Sequence, residues 1–162
     1  MPAQLIENGS KKQFKPARGS ETNPARLLIC DDQKLIRCRV REMLRDIRTI
    51  RIVGEAADGR AALIKALELR PDIILMDLSM PELDGIEATR QILAQEPDIA
   101  VLGYSANSDE QSVSRMQAAG ARGFLTKTGD PGELATALAS VLAGARFVSI
   151  ASEADPHRPK LD

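Results

Sequence analysis

Residues Pro71–Gly85 read PDIILMDLSMPELDG, and the order of residue types in this stretch decides the fold. Asp72–Met76 predicts a strand that is aliphatic on both faces, as expected of a strand covered on both sides. Asp77 follows at once and puts a carboxylate at the carboxyl end of that strand. Met80-Pro81 comes next, then Asp84-Gly85. Asp84, with Glu87 three residues on, predicts a helix start of the capping-box kind. A buried strand, an acidic residue, a short loop and a helix together make one β–α unit.

The same unit recurs on either side. Upstream, Arg26–Cys30 is a short apolar strand. Lys34–Arg48 reads as a helix with Ile36, Val40, Met43, Leu44 and Ile47 on one face. Ile50–Val53 is a second strand, and Gly59–Leu69 a helix stopped by Pro71. Downstream, the helix opening at Asp84 carries Ile86, Ile92 and Leu93 and ends before Pro97. Ile99–Leu102 is the fourth strand. Asp109–Ala119 is a weak helix, with Val113 and Met116 as its large apolar side chains and Gly120 as its stop. Gly123–Thr126 is the fifth strand. Asp130, Pro131 and Glu133 open a last helix, with Leu134, Leu138, Val141, Leu142 and Ala145 on its apolar face. Five β–α units predict an α/β fold with a parallel sheet, helices on both sides and right-handed crossovers. Sites in such sheets form at the carboxyl ends of the strands.

Bulk properties set limits. A chain of 162 residues fits one domain with tails. Residues 1–25 are polar, with Lys11, Lys12, Lys15 and Arg18, and read as a disordered basic arm. Residues 149–162 read as a polar tail containing His157, the one histidine. That leaves 26–148 as the folded domain. Aromatics are 2%, so aliphatic residues fill the core, and no aromatic-and-basic interleaving suggests single-stranded nucleic acid. Cys30 and Cys38 match no zinc or redox spacing and read as two reduced thiols. Ile73–Met76, the longest purely aliphatic run, is too short to span a membrane, and no signal-peptide core opens the chain, so a cytoplasmic location is expected.

At the predicted strand ends stand Asp31 and Asp32, Asp77, Ser105 and Lys127. Each has an ordinary reading by itself: helix caps for the aspartate pair, a turn residue for Asp77, a loop hydroxyl for Ser105, a surface charge for Lys127. What favours chemistry is that all five end predicted strands or lie just beyond them. Three carboxylates at one rim repel one another, and a hard divalent cation relieves that cost. An acidic cluster with one lysine also suits phosphoryl transfer, in which a carboxylate attacks in line.

Four stretches, LLICDDQ (27–33), PDIILMDLSMPELDG (71–85), VLGYSAN (101–107) and GARGFLTK (120–127), give the chain from about Arg26 to about Val148 a strong resemblance to response-regulator receiver domains. The resemblance implies a flavodoxin-like doubly wound sheet of five strands in the order 2-1-3-4-5. It implies that Asp77 accepts a phosphoryl group. Asp32 would bind Mg2+ directly, Asp31 largely through water, and Asp77 and the backbone carbonyl of Ser79 complete the protein ligands. Ser105 stands at the family's switch hydroxyl, Phe124 at its aromatic switch position and Lys127 at its lysine. The partners implied are a sensor histidine kinase or phosphotransfer protein and a downstream effector protein, with monomer and homodimer both open. Thr128, in place of the proline many members have, and GARGFLTK look most like receivers of NarL/FixJ-type transcription factors. The short tail after Val148 leaves two readings. One is a stand-alone receiver that signals through protein contacts without binding DNA. The other is the receiver of a regulator whose helix-turn-helix domain is absent from this chain.

Other classes fit less well. A dehalogenase-like phosphatase wants a second aspartate two residues after the nucleophile, and Ser79 stands there. A receiver reduced to an interaction module usually lacks an acidic residue or the lysine, and all are present here. No G-x-G-x-x-G follows the first strand, which disfavours dinucleotide binding.

Overall fold

The computed structural model describes residues 4–8, 11–15, 18–106, 109–127 and 130–149. Tail residues 150–162, His157 among them, and Thr128 lie outside the described residues. In chain order the elements are β1 (Gln4–Asn8), β2 (Lys11–Lys15), β3 (Ala25–Cys30), α1 (Lys34–Leu44), β4 (Ile50–Ala56), α2 (Gly59–Leu69), β5 (Ile73–Met76), α3 (Gly85–Gln95), β6 (Ala100–Ser105), α4 (Glu110–Ala118), β7 (Gly123–Thr126), α5 (Pro131–Leu142) and β8 (Phe147–Ser149). The main sheet has six strands in the order β4-β3-β5-β6-β7-β8, every pair parallel. Its first five strands follow the expected 2-1-3-4-5 order.

Two expectations need correction. The sheet has a sixth strand, β8, which lies beside β7 and pairs Gly123 with Phe147 and Leu125 with Ser149. Three residues were too short to show a period, yet Thr126 Oγ1 donates to the Ser149 carbonyl at 3.0 Å and fastens the strand. The arm 1–25, expected without structure, contains a separate antiparallel pair, with Gln4 opposite Lys15 and Asn8 opposite Lys11. The intervening Gly9-Ser10 is a two-residue spacer of the kind that joins hairpin strands, and that signal outweighs the polar composition. Residues 18–24 are also tied down: the Gly19 N–H donates to the Asn23 carbonyl at 2.8 Å.

Alternation along the strands sorts the core into two layers. Leu28, Cys30, Ile74, Met76, Val101 and Phe124 face the side covered by α2, α3 and α4, whereas Leu27, Ile29, Ile73, Leu75, Leu102 and Leu125 face α1 and α5. Both layers are nearly dry, so β5 is buried along its whole length. Cys30 is buried and Cys38 exposed, both unpaired; burial pushes the Cys30 thiol well above its ordinary pKa, which keeps it an inert hydrophobe. Among the described residues no helix is long and apolar enough to cross a membrane.

Aspartates start four helices. Asp58, Asp84, Asp109 and Asp130 accept from the backbone N–H of Ala61, Glu87, Ser112 and Gly132 respectively. The expected capping box at α3 is half made, because the Glu87 carboxylate turns to Arg90 and Gln91. Gly120 and Gly144, at φ 106° and 88°, close α4 and α5 with Schellman bonds: Ala121 N–H to Met116 O and Ala145 N–H to Ser140 O, each 3.0 Å. Ala145 thus lies past the helix whose face it was expected to extend, and α1 ends at Leu44, before the expected Arg48.

The loop between β5 and α3 is held where two helices begin. A Cβ on Gly85 would sit 1.8 Å from the Asp77 carbonyl oxygen, and one on Gly59 would sit 1.7 Å from that of Leu83. At the tip, Glu82 has φ 69° and the Leu83 N–H bonds the Pro81 carbonyl at 2.8 Å, a γ-turn. Only hydrogen fits at Gly85, whereas a Cβ on Gly132 in α5 would meet Asp130 Oδ1 at an ordinary 3.4 Å. Gly85→Ala should therefore cost about 3 kcal/mol in urea unfolding, and Gly132→Ala should be neutral or stabilise by up to about 1 kcal/mol. Equal effects would contradict this account of the loop.

Candidate functional site

The parallel ladders run one residue past the strands and so fix where the polar residues begin. Asp31 N–H donates to Ala56 O at 3.0 Å, Asp77 N–H to Cys30 O at 2.9 Å, and Lys127 N–H to Ser105 O at 2.9 Å. These bonds register Asp31, Asp77 and Lys127 at the same rim, the carboxyl edge of the sheet. Side chains then converge. Lys127 Nζ lies 2.6 Å from Asp31 Oδ2 and 3.3 Å from Asp77 Oδ1. Asp31 also accepts the Gln33 N–H at 2.9 Å.

The ordinary reading of Asp31 and Asp32 as helix caps does not hold. The N-cap of α1 is Gln33, and no side chain caps that helix. Instead Asp31, Asp32 and Asp77 each offer an oxygen, all within 4.8 Å of one another. Two oxygens on one Mg2+ lie about 3–4 Å apart, so a cluster of this span is of the size to hold one cation. The donors are all hard oxygens, as Mg2+ prefers.

Three carboxylates share one ammonium, and the imbalance falls on Asp77. Its carboxyl is pushed up from the ordinary 3.8 to about 6. Burial is the largest cause; Lys127 opposes it, and the charges on Asp31 and Asp32 add to it. A cation here would relieve the same imbalance, which is the electrostatic half of the fit. Lys127 is held from below as well, its Nζ 5.5 Å from the Tyr104 ring centroid, in reach of a cation–π contact.

The other expected residues sit differently. Ser105 is the last residue of β6, buried at the same rim. Ser79 is exposed, two residues past Asp77 in the loop. Phe124 is not at the acidic cluster. It is fully buried on the α4 side, so close over Gly103 that a Cβ there would meet its ring at 3.0 Å and Met116 at 3.2 Å. Sequence reasoning missed Tyr104, Gly85 and Arg37. Tyr104, next to Ser105, had no period to place it; Gly85 was visible in the Asp-Gly pair but its contact with the Asp77 backbone was not. Arg37, whose Nη1 donates to the Asp31 carbonyl at 2.8 Å, lies in no motif that would single it out in the sequence.

Known proteins resemble this chain in sequence and fold. A family model described as the response regulator receiver domain matches residues 27–139. The response regulator GacA of Pseudomonas viridiflava is 40% identical over 124 residues, covering 76% of this chain and 58% of that protein. The crystal structure of a LuxR-family two-component response regulator from Aurantimonas sp. SI85-9A1 superimposes with TM-score 0.74 at 34% identity, covering 77% of this chain and 89% of that one. The isolated REC domain of RcsB from Salmonella enterica serovar Typhimurium, solved with the phosphomimetic BeF3-, gives TM-score 0.72 at 27% identity, covering 78% and 94%. The chain spans a little over half the length of the curated relative it matches.

The raised Asp77 carboxyl carries a stability consequence. Because the folded pKa (about 6) exceeds the ordinary 3.8, the folded protein holds this proton more tightly than the unfolded chain does. Stability therefore falls as pH rises from about 4 to about 6, and above that the full penalty applies. Asp77→Asn removes it. In chelator at pH 7.5 the variant should be more stable than the wild type by on the order of 1–3 kcal/mol. The gap should close toward pH 4, as read by thermal unfolding at both pH values.

Proposed function

The chain belongs to the response regulator receiver family, and on that footing we propose that it is a phospho-accepting switch whose acceptor is Asp77. The observation that carries the assignment is position: Asp77 ends the fully buried β5 and faces two further carboxylates and the Lys127 ammonium. The reaction is an in-line displacement. A carboxylate oxygen of Asp77 forms a bond to phosphorus as the bond from phosphorus to the donor breaks, and the donor leaves with the electron pair. The donor is a phosphohistidine of a sensor kinase or phosphotransfer protein, or a small acyl phosphate. The chain is thus a signalling protein that promotes its own modification.

Mg2+ would fit the acidic cluster, with Asp32 as a direct ligand, Asp31 acting largely through water, and Asp77 and the Ser79 carbonyl as the remaining protein groups to hold it. When bound it supplies positive charge against the phosphoryl oxygens. The chain's own residues do the rest. Lys127 stands within reach of the acceptor carboxylate and would follow the new charge onto a phosphoryl oxygen. The Ser105 hydroxyl would hydrogen-bond another. Domain limits follow the same reading, with residues 26–148 as the receiver, β8 adding one residue, and the segments on either side as its arm and tail.

Output follows from α4. Its buried residues are Val113 and Met116, none of the partly buried hydrophobics packed on that core layer comes from α4, and Phe124 and Met116 both close over Gly103. A helix with so few anchors is the cheapest to shift. Movement of Ser105 toward the phosphoryl group would let Phe124 repack and present a changed α4–β7–α5 surface to an effector protein or a second copy. Among the described residues every helix belongs to the β–α units of the sheet and none is left to enter a DNA groove. Protein contacts are therefore the proposed output of these residues. The alternative, a receiver within a longer DNA-binding regulator, is favoured by the greater length of GacA.

Two experiments decide. With Mg2+ and acetyl phosphate the intact mass should rise by one phosphoryl group, and the gain should vanish in Asp77→Asn and in excess chelator. A gain that persists in Asp77→Asn would remove the assignment. Hydrogen exchange with and without beryllofluoride should change most across residues 103–127; changes confined to α1 and α2 would contradict the switch.

A further inference from the structure

Arg37 lies outside the groups that face Asp77, yet its best hydrogen bond goes to the acidic cluster's backbone. Its Nη1 donates to the Asp31 carbonyl at 2.8 Å. Glu55 stands behind it on β4 but does not pair with it closely. Arg37 Nε is 4.0 Å from Glu55 Oε2, and Nε is buried without a hydrogen-bond partner among the described residues. Glu55 gives its other oxygen to Arg41 at 2.8 Å, and its carbonyl accepts from Lys65 Nζ. Arg37, Glu55 and Lys65 border an open cavity of about 460 Å³ beside the end of β4. An arginine placed there for an ion pair alone would fork both nitrogens onto the carboxylate. This one forgoes the fork and spends a charge-assisted bond on the peptide that joins Asp31 to Asp32.

That peptide matters because the two carboxylates are held unequally. The Asp31 side chain is fixed at both oxygens, by the Gln33 N–H and by Lys127. Asp32, by contrast, is exposed. We propose that Arg37 is a positioning residue: through the Asp31 carbonyl it fixes the Asp31–Asp32 peptide plane and so aims the Asp32 carboxylate at the cation position. The proposal rests on the metal-assisted reading above.

The sign of the effect separates positioning from charge. Through space, a guanidinium beside three carboxylates opposes cation binding, so loss of its charge alone would tighten Mg2+. Loss of positioning would weaken it. Mg2+ titration by calorimetry reads the affinity. Emission of Tyr104, the one tyrosine in a chain without tryptophan and 5.5 Å from Lys127 Nζ, is a second readout. Arg37→Met should weaken Mg2+ binding about three- to tenfold. Arg37→Lys keeps the charge and a donor but not the planar fork, and should fall between Arg37→Met and wild type. Arg39→Met, an exposed charge on the same helix, should leave affinity unchanged or slightly tighter. Thermal unfolding in chelator identifies variants that remain folded. Wild-type or tighter affinity in a folded Arg37→Met overturns the proposal; if that variant does not fold, wild-type affinity in Arg37→Lys overturns it. A wild-type protein that binds no Mg2+ would instead remove the metal-assisted reading itself.

Discussion

One ammonium set among three carboxylates is the constraint on which the rest of this molecule depends. Lys127 Nζ, 2.6 Å from Asp31 and 3.3 Å from Asp77, holds the cluster together but cannot neutralise it. Burial raises the Asp77 carboxyl first, the charges on Asp31 and Asp32 add to it, and the charge left over invites a divalent cation. Such a cluster survives only if the backbone forbids the aspartates from moving apart. The sheet does this through ladder bonds that continue past the strand ends, and Gly85 does it from the other side by leaving no space behind the Asp77 carbonyl. The cost of crowding like charges is met by burial of two aliphatic layers beneath them.

The same scaffold is firm where charge must be held and light where shape must change. β5 is buried at every residue, whereas α4 rests on Val113 and Met116. Phe124 links the two regimes, three residues before Lys127 on the same segment and packed against Met116 over Gly103. The rim and α4 are thus joined by a single strand. β8 adds a fixed edge on the far side of β7, held by Thr126, the residue before Lys127.

Much of this was legible in the residues. Pro71–Gly85 disclosed a buried strand ending in a carboxylate, and strand–helix alternation placed Asp31, Asp32, Ser105 and Lys127 at the same rim. What could not be read was of two kinds. Contacts set by packing leave no local pattern: Gly85 against the Asp77 carbonyl, Tyr104 beneath Lys127, Arg37 on the Asp31 carbonyl. Short elements escape periodicity: β8 has three residues, and the β1–β2 pair lies in a segment whose polar composition argued for no structure. The ends of α1 and α5 were misplaced because Ile47 and Ala145 continue the apolar face after the helical hydrogen bonds have stopped.

The crowded cluster is proposed to direct phosphoryl transfer to a single carboxylate. Borohydride reduction tests it most directly, because it converts an aspartyl phosphate to homoserine and leaves free carboxylates alone. After treatment with acetyl phosphate and Mg2+, reduction and peptide mass mapping, homoserine should appear at Asp77 and nowhere else. Homoserine at Asp31 or Asp32, or its absence from Asp77 while another aspartate is converted, would contradict the account.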